Sequence, residues 1–316
     1  MNRIFIISIL LCLFSSCREA EETFSKEELA KKDSLALHVA VFPTLETLPF
    51  YYAERSGMLD EAEADIRLMH YESMMDCDTA ITRGHAQVSV TDVARIITLQ
   101  QKDTMALTAI ASLESRMGLY SPKKKKKINR IEQLKERLIG MERHSRSDYW
   151  SDHILEGTDL TTLDIFRVQI GSTHLRYDML MSELLDAAFL SEPYASLCGD
   201  TLIAHCLWQQ PDSLPQWEVL AVPAKQQQDS LRTQQVKALM KVYERARLKI
   251  VAHPDTALLH KIYREDYLIP ERHLQRVHWY EWKPAPLTDS ISPLPSQQAS
   301  EWLERRSSLM RDLYAQ

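Results

Sequence analysis

The stretch LALHVAVFP at residues 35–43 is a nearly continuous apolar run that ends at a proline. Such a run predicts a β-strand that is buried on both faces, as in a parallel sheet. The next four residues, TLET at 44–47, predict a loop, and LPFYYAERSGM at 48–58 predicts a helix that Gly57 stops. Strand, loop and helix in this order indicate an α/β protein.

The alternation of strands and helices continues outward from this stretch and is interrupted once. Hydrophobic periodicity predicts strands and helices in turn up to residue 111, and a second such series from Leu138 onward. Between them lie Pro122 and five lysines, Lys123 to Lys127, which predict a solvated loop, with contact to an anionic lipid or partner as the alternative. The predicted fold class is therefore α/β, with two lobes that are each an open, mostly parallel sheet flanked by helices.

Length and composition exclude several classes of protein. The chain has 316 residues, of which 45% are hydrophobic and 26% charged, so it is globular and long enough for two lobes. A net charge of -6 lacks the basic surface that nucleic-acid phosphates require, and no nucleic-acid partner is expected. The five cysteines lack metal-site spacing, and phosphate-binding, nucleophile-elbow and zinc motifs are absent. We expect no metal, no cofactor and no catalytic residue, and leave open whether Cys77, Cys198 and Cys206 form a disulfide.

The N-terminus has the pattern of an exported lipoprotein. Residues 1–16 carry one charge, Arg3, and an apolar run that is too short to span a bilayer, which predicts a signal peptide. The segment LFSSC at 13–17 resembles the lipobox of bacterial lipoproteins. Cys17 is therefore the predicted lipidation site, which anchors the mature chain on the periplasmic side of the envelope or at the cell surface; an ordinary secretory peptide is the alternative. Residues 17–33 are strongly charged and predict a solvated tether.

Four segments, in order along the chain, carry a resemblance to a known family. In the first, Pro49, Ala53 and Gly57 form the pattern P-x-x-x-A-x-x-x-G after a strand and a loop. The others are residues 80–92, which end in an aspartate, residues 131–141, and residues 170–195, which contain LDAAFLSEPYA. These segments resemble the type II periplasmic substrate-binding proteins of ABC importers, specifically the nitrate, sulfonate, taurine and thiamine-precursor-binding group.

The resemblance implies two α/β lobes with a ligand between them. Lobe one would combine residues 34–120 with 216–316, and lobe two would be the inserted segment 121–215. It also implies a monomer without catalytic activity that closes about a hinge near 119–121 and 216–219. The closed form would then present a bound small molecule to the permease of an ABC transporter.

The predicted ligand-binding residues lie at strand ends and helix N-termini, where free backbone N–H groups favour an anion. They are Thr44, Leu45, Glu46, Thr47, Thr91, Asp92, Ser112, His144, Ser145, Arg146, Ser147, Thr173, Arg176 and Glu192. Arg146 is predicted to bind an anionic group, assisted by the hydroxyl of Ser145 or Ser147; helix capping by Ser147, with the arginine in solvent, is the alternative. Since Arg146 is expected at the cleft surface, Arg146→Ala is expected to spare the fold and weaken binding by about 10- to 150-fold.

Glu46, Asp92 and Glu192 place carboxylates opposite the arginines. This predicts either internal salt bridges or a ligand with an amine or ring nitrogen beside its anionic group. The predicted function is an extracytoplasmic solute-binding lipoprotein for a small anionic or zwitterionic organic molecule. One alternative is an enzyme of the menaquinone or thiamine-precursor type, with Asp92 and Glu192 as acid and base; another is a surface or sensor lipoprotein without a role in transport. The signal peptide argues against the enzyme, because it places the chain outside the cytoplasm.

Overall fold

The computed structural model describes residues 25–102, 105–123, 128–200, 203–214, 216–276, 278–288 and 292–314. The predicted signal peptide, the lipidation site Cys17 and most of the predicted lysine loop lie outside the described residues. The chain divides into two units, Met1–Ala36 and Leu37–Gln316, and all strands of the described residues belong to the second.

The first unit contains one described helix, α1 (Lys26–Leu35). Ser25 caps it: the Ser25 hydroxyl accepts from the backbone N–H of Glu28 at 3.2 Å, and the Glu28 carboxylate accepts from the N–H of Ser25 at 2.8 Å. This reciprocal pair, S-x-x-E in sequence, satisfies two of the N–H groups that a helix start otherwise leaves open. The predicted tether, residues 17–33, is therefore helical from Lys26 onward.

The second unit is built on two five-stranded sheets. The first sheet contains β1 (Leu37–Val41), β2 (Ile66–His70), β3 (Val88–Asp92), β4 (Leu107–Leu113) and β10 (Glu218–Pro223), in the order β2-β1-β3-β10-β4. β1 is parallel to β2 and β3, whereas β10 is antiparallel to β3 and β4. The apolar run of β1 is buried on both faces, as its sequence predicts for an inner strand of a parallel sheet.

The second sheet repeats this arrangement. It contains β5 (Met117–Pro122), β6 (Leu138–Met141), β7 (Phe166–Gln169), β8 (Ala187–Ser191) and β9 (Ala204–Gln209), in the order β7-β6-β8-β5-β9. β6 is parallel to β7 and β8, whereas β5 is antiparallel to β8 and β9. Each sheet therefore has one reversed strand, in fourth place, and the predicted α/β fold class is confirmed.

The reversed strand of each sheet is the one that follows a crossing of the chain. β5 follows β4 through residues 114–116, and β10 follows β9 through residues 210–217. The two crossing segments contact each other, since the backbone N–H of Ser115 donates to Oε1 of Gln216 at 2.9 Å. Residues 117–120, predicted to belong to lobe one, pair with β8 and β9 in the second sheet. The predicted hinge at 119–121 thus lies inside β5, and the lobe boundaries stay a prediction.

Helices flank both sheets. They are α2 (Leu48–Arg55), α3 (Met74–Thr82), α4 (Val93–Gln101), α5 (Arg146–His153), α6 (Thr173–Met181), α7 (Tyr194–Asp200), α8 (Ser230–Ala252), α9 (Thr256–Glu265), α10 (Glu271–Leu274) and α11 (Leu294–Tyr314). α2 packs against α8 and α9, and α11 packs against α4. Within the described parts of the chain, no helix combines the length and the apolar character needed to cross a membrane.

Candidate functional site

A cavity of about 350 Å³ lies at the carboxyl ends of β1 and β2 and is lined by elements of both sheets. On the side of the first sheet, the lining consists of Pro43, Tyr51, residues 70–72 and residues 265–268. The second sheet contributes residues 172–175, at the N-terminus of α6, together with Tyr194, the first residue of α7. Ligands of open α/β sheets bind outside the carboxyl ends of the strands, and the volume suits a small organic molecule.

The loop after β1 is held in shape by two buried threonines. The hydroxyl of Thr47 donates to the backbone oxygen of Phe42 at 2.7 Å and accepts from the N–H of Thr44 at 3.1 Å. The N–H of Leu45 then donates to the backbone oxygen of Glu192, just after β8, at 3.2 Å. The loop predicted to bind ligand is therefore fixed by internal hydrogen bonds and contacts the second sheet directly.

The start of α5 is capped by side chains of the chain itself. Ser145, and not Ser147, is the capping residue, because its hydroxyl accepts from the N–H of Ser147 at 3.2 Å. Asp92 caps α4 by accepting from the N–H of Arg95 at 3.0 Å, and its other oxygen accepts from the N–H of Arg146 at 2.8 Å. A helix N-terminus that we predicted to bind an anionic ligand thus contacts a carboxylate of the first sheet.

The side chain of Arg146 forms an ion pair that joins the two sheets. Its Nη2 lies 2.7 Å from Oε2 of Glu218, the first residue of β10. The residue is 4% exposed, so the expectation that it lies at the cleft surface is wrong. It is covered because a carboxylate of β10, which sequence reasoning did not single out, approaches it inside the protein. Nη1 of Arg146 has no hydrogen-bond partner among the described residues.

Glu46 adds another buried carboxylate to this group. Burial, followed by repulsion from Glu218, raises the pKa of Glu46 to about 8, and Arg146 opposes the shift. Burial also raises the pKa of Glu218 and brings that of Asp92 to about 6. We name these four residues, Glu46, Asp92, Arg146 and Glu218, the Arg146 cluster. With three acids and one arginine, the cluster at neutral pH either keeps a proton on Glu46 or requires a further positive charge.

A second polar network joins the sheets beside the Arg146 cluster. The guanidinium of Arg95, in α4, contacts the carboxylate of Asp78 and donates to the backbone oxygen of Arg143 at 3.1 Å. From the second sheet, Oε1 of Glu142 accepts from the N–H of Met75 at 3.0 Å. Burial raises the pKa of Glu142 to about 7, and it also raises the pKa of Asp78. Arg95 is therefore neutralised by acids of the chain.

Thr173 and Arg176 form hydrogen bonds with each other and with the backbone beside the second sheet. The guanidinium of Arg176 donates to the hydroxyl of Thr173 at 2.9 Å and to the backbone oxygens of Phe189 and Ile170 at 2.9 and 2.5 Å. Burial lowers the pKa of Arg176 to about 10. Of the predicted ligand-binding residues that the structure describes, only Thr173 lines the 350 Å³ cavity.

Four other predicted ligand-binding residues lie elsewhere or have partners. The hydroxyl of Thr91 donates to Asp78 at 2.8 Å, and a carboxylate oxygen of Glu192 accepts from a backbone N–H in α7 at 3.1 Å. Ser112 lies in β4, which β3 and β10 separate from β1. His144 is exposed, with left-handed backbone at φ 57°. The structure therefore brings only part of the predicted set together.

Sequence reasoning missed most of the cavity lining. Four tyrosines line it: Tyr51, Tyr71, Tyr194 and Tyr267. Tyr71 directly follows β2, so the strand-end rule that selected Thr44 could have found it. The other three read as core residues in sequence, because their burial gives an apolar pattern and no polar spacing marks them.

The loop before α6 approaches the first sheet so closely that it requires a glycine. A Cβ atom at Gly171 would lie 2.7 Å from Cβ of Ser73 and 3.0 Å from its hydroxyl oxygen. The Ser73 hydroxyl is itself fixed, because it accepts from the N–H of Asp76 at 3.2 Å as the cap of α3. Any side chain at Gly171 would therefore force the two sheets apart at this point.

In the described part of the chain, histidines, cysteines and acids form no group that could hold a metal ion, and two of the three cysteines there are buried. Groups of three or more His, Cys, Asp or Glu side chains that could hold a metal ion do not occur there. Among the described residues, Cys77, Cys198 and Cys206 form no disulfide bond. Burial raises the pKa of Cys77 and Cys198, so that both thiols stay protonated and unreactive.

Several solved structures share this fold. The periplasmic aliphatic sulphonate-binding protein SsuA from Escherichia coli aligns with a TM-score of 0.67 and 14% identity, over 86% of this chain and 92% of that one. The alkanesulfonate-binding protein SsuA from Xanthomonas axonopodis pv. citri, bound to MOPS, aligns with a TM-score of 0.68 and 13% identity, over 87% and 93%. The periplasmic nitrate-binding protein NrtA from Synechocystis PCC 6803 gives 0.62 and 11%, over 76% and 68%. The TM-scores establish a shared fold, and at identities this low the alignments establish no more than the fold.

The sequence itself matches a family. No curated protein sequence matches the chain. The sequence model of a family described as NMT1/THI5 like, however, matches residues 44–257, which is more than half of the 316 residues. This range begins at the loop after β1 and includes the Arg146 cluster and both crossing segments, and it confirms the predicted resemblance. The chain belongs to the NMT1/THI5-like family.

Proposed function

We propose that this protein is an extracytoplasmic solute-binding lipoprotein, which captures a small organic molecule and delivers it to an ABC importer. The observation that carries the proposal is the 350 Å³ cavity, because its lining comes from elements of both sheets. A ligand there contacts both sheets at once, so its binding energy favours the arrangement in which they touch. The sulfonate- and nitrate-binding proteins of the same fold support this function.

The lobes would follow the two sheets, with a hinge at the crossings. Residues 37–113 and 218–316 would form lobe one, and 117–209 would form lobe two. In the described part of the chain, the backbone passes from one sheet to the other only at the crossing segments, 114–116 and 210–217. These segments would absorb the change of angle between the lobes. Closure of the monomer would then create the surface that the permease recognises.

A lipid on Cys17 would keep the protein beside its membrane partner. The segment LFSSC at 13–17 and the charged residues that follow it support this anchor. A tethered binding protein remains at high local concentration near the permease, which raises the rate of delivery without any additional contact.

The enzyme alternative receives less support from the geometry. Asp92 and Glu192, the acids considered for acid–base chemistry, each accept hydrogen bonds from backbone N–H groups of helices. Carboxylates held in this way fix the starts of the helices whose N–H groups they accept from. A pair of proton-transfer groups would instead need to converge on one substrate position.

Native mass spectrometry of protein purified from the exported fraction, without refolding, tests the proposal. We expect one small molecule per chain, lost on denaturation, and its mass identifies the ligand. Leu175→Trp, which fills the cavity from an exposed position, should abolish the adduct, whereas Leu163→Trp, at an exposed position outside the lining, should retain it. A bare mass for the native protein, or an adduct that survives in Leu175→Trp, would contradict the proposed site.

A further inference from the structure

We propose that the ligand of the cavity carries a positively charged nitrogen, as in an amine, a quaternary ammonium group or a protonated heterocycle. This inference rests on the proposed function and specifies the class of its ligand. Of the groups that the sequence allows on the ligand, an anionic group and a nitrogen beside it, the inference selects the nitrogen as the one that the cavity recognises. Three independent features of the site lead to it: the charges of the lining, the tyrosines, and the engagement of the nearby arginines.

Acids outnumber basic side chains in the lining. Its two histidines, His70 and His174, each lie beside a carboxylate of the chain, Glu54 at 2.8 Å and Asp178 at 3.2 Å. Glu72, Glu265 and Asp266 line the described part of the cavity, and neither lysine nor arginine does. Asp266 is paired with Arg55, whose Nη2 lies 2.6 Å from Oδ1, and the same guanidinium is 3.9 Å from Glu265. Glu72, which follows β2, forms no ion pair with any described residue. Its carboxylate, on an exposed residue, is therefore available to a cation, and its repulsion of an anion is reduced by solvent.

Aromatic rings make up much of the remaining lining. Tyr51 and Tyr267 contact each other edge to face, with ring centroids 5.3 Å apart. The Tyr267 hydroxyl donates to the backbone oxygen of Thr44 at 2.7 Å, and the Tyr194 hydroxyl donates to the backbone oxygen of Tyr267. These bonds fix the rings in place. Electron-rich tyrosine rings attract cations, most strongly where water is excluded, and have no comparable attraction for anions.

The hydroxyl of Tyr51 lacks a partner. The residue lines the cavity and is 1% exposed, yet its hydroxyl forms no hydrogen bond with the described residues. The hydroxyl oxygen is not among the fully buried atoms that lack a partner, so it can be reached from the cavity and can bind a polar group of the ligand. Burial raises the pKa of Tyr51, which keeps the phenol neutral. Its oxygen can then accept from the N–H of an ammonium group.

The nearby arginines are already engaged by the chain. Arg95 pairs with Asp78, and Arg176 donates to backbone oxygens. Arg146 pairs with Glu218 through Nη2; its Nη1 has no partner among the described residues, but the side chain is buried and does not line the cavity. A sulfonate or nitrate in the cavity would therefore lie near the unpaired carboxylate of Glu72 and would find no arginine to bind. Such an anion would lose its hydration without a compensating ion pair, so its binding is unfavourable. A carboxylate on the same molecule as the nitrogen would still find the N-terminus of α6, so a zwitterion satisfies the proposal as well.

Three probes of matched shape test the charge directly. Choline is a cation, 3,3-dimethylbutan-1-ol is its neutral isostere, and isethionate is an anion of similar size. Calorimetry on protein freed of ligand by partial unfolding and dialysis should show choline binding about tenfold more tightly than the alcohol, and no binding of isethionate. Equal or tighter binding of the alcohol or of isethionate overturns the proposal, as does the absence of choline binding.

Variants then tie the preference to the cavity. Glu72→Gln and Tyr51→Phe should each weaken choline binding several-fold while leaving the weak affinity for the alcohol unchanged, and Glu304→Gln, an exposed acid outside the lining, should leave both unchanged. A choline affinity unaffected by Glu72→Gln and Tyr51→Phe contradicts the proposal. The outcome is separable from the proposed function: preference for isethionate leaves a solute-binding protein with an anionic ligand, whereas a native protein without any bound molecule contradicts the function itself.

Discussion

Arg146 and Glu218 form an ion pair across the two sheets, with Nη2 2.7 Å from Oε2 and side chains that are 5% and 0% exposed. Arg146 begins α5 of the second sheet, and Glu218 begins β10 of the first. Charges buried this deeply are tolerated because each has the other, so the pair couples the stability of the protein to contact between the sheets. The same contact occupies Nη2 of the guanidinium that we expected to bind ligand.

We therefore expect Arg146→Ala to destabilise the protein strongly, by about 3–5 kcal/mol at pH 8, because it leaves Glu218 buried without a positive partner. Urea denaturation measures this loss. The double variant Arg146→Met, Glu218→Gln should recover much of it, since neither charge is then buried alone. A loss below about 1 kcal/mol for Arg146→Ala would show that the pair opens readily to solvent.

Local pattern explains which parts of the fold the sequence predicts. The strand β1 and the helix α2 follow from an apolar run and a helix stop that lie within one short stretch. β5 was not predictable in this way, because its sequence MGLYSP has few large apolar residues and ends in a proline typical of a turn. Its place is set by pairing with β8 and β9, which are distant in sequence.

In the candidate site too, contacts between residues distant in sequence were not predictable from local pattern. The strand-end rule correctly brings Glu46 and Asp92 to one edge of the first sheet. It gives no information on Glu218, because the contact of this residue with Arg146 depends on how the two sheets approach each other. The burial of Tyr51 and Tyr267 in the cavity wall is likewise a tertiary property, which a single aromatic residue in a sequence does not reveal.

The stability of the protein should fall as pH rises from about 5 to 8. Burial raises the pKa of Glu46 to about 8, of Glu142 to about 7 and of Asp92 to about 6, whereas all three titrate near 4 in the unfolded chain. In this window the folded state keeps protons that the unfolded state has lost, so higher pH favours unfolding. Each group contributes up to about 1.4 kcal/mol per pH unit between its two pKa values.

Chemical denaturation at pH 5, 6.5 and 8 measures this dependence. Glu46→Gln, which keeps a neutral side chain of the same shape, should flatten the slope between pH 6.5 and 8, and Glu304→Gln should leave it unchanged. If the free energy of unfolding of the parent is as large at pH 8 as at pH 5, the carboxylates of the Arg146 cluster are not held protonated in the folded state.

Gly171→Ala should weaken capture of the native ligand by roughly tenfold or more, because the added Cβ would lie 2.7 Å from Ser73 and oppose the contact between the sheets. Calorimetry with the molecule identified by native mass spectrometry gives the affinity. Gly199→Ala is the matched control, since nothing lies within 4 Å of a Cβ there. Equal affinity for the Gly171→Ala variant and the parent would mean that the ligand does not need the sheets to touch at this point.

Cys17→Ala should move the protein from the membrane to the soluble exported fraction and abolish lipid labelling, because the segment LFSSC at 13–17 resembles a lipidation site. Cys12→Ala, five residues earlier within the apolar run, should leave both unchanged. Fractionation and metabolic labelling with a fatty acid check this prediction. A Cys17→Ala protein that stays with the membrane and keeps its label would place the anchor elsewhere.

Small-angle X-ray scattering with and without the native ligand tests whether a solute is captured between two closing lobes. We expect removal of the ligand to increase the radius of gyration and its return to restore the smaller value. The radius of the Leu175→Trp variant, whose cavity is filled, should not respond to ligand. A radius that stays constant from the ligand-free protein to saturation, while calorimetry shows the ligand bound, would contradict capture between closing lobes.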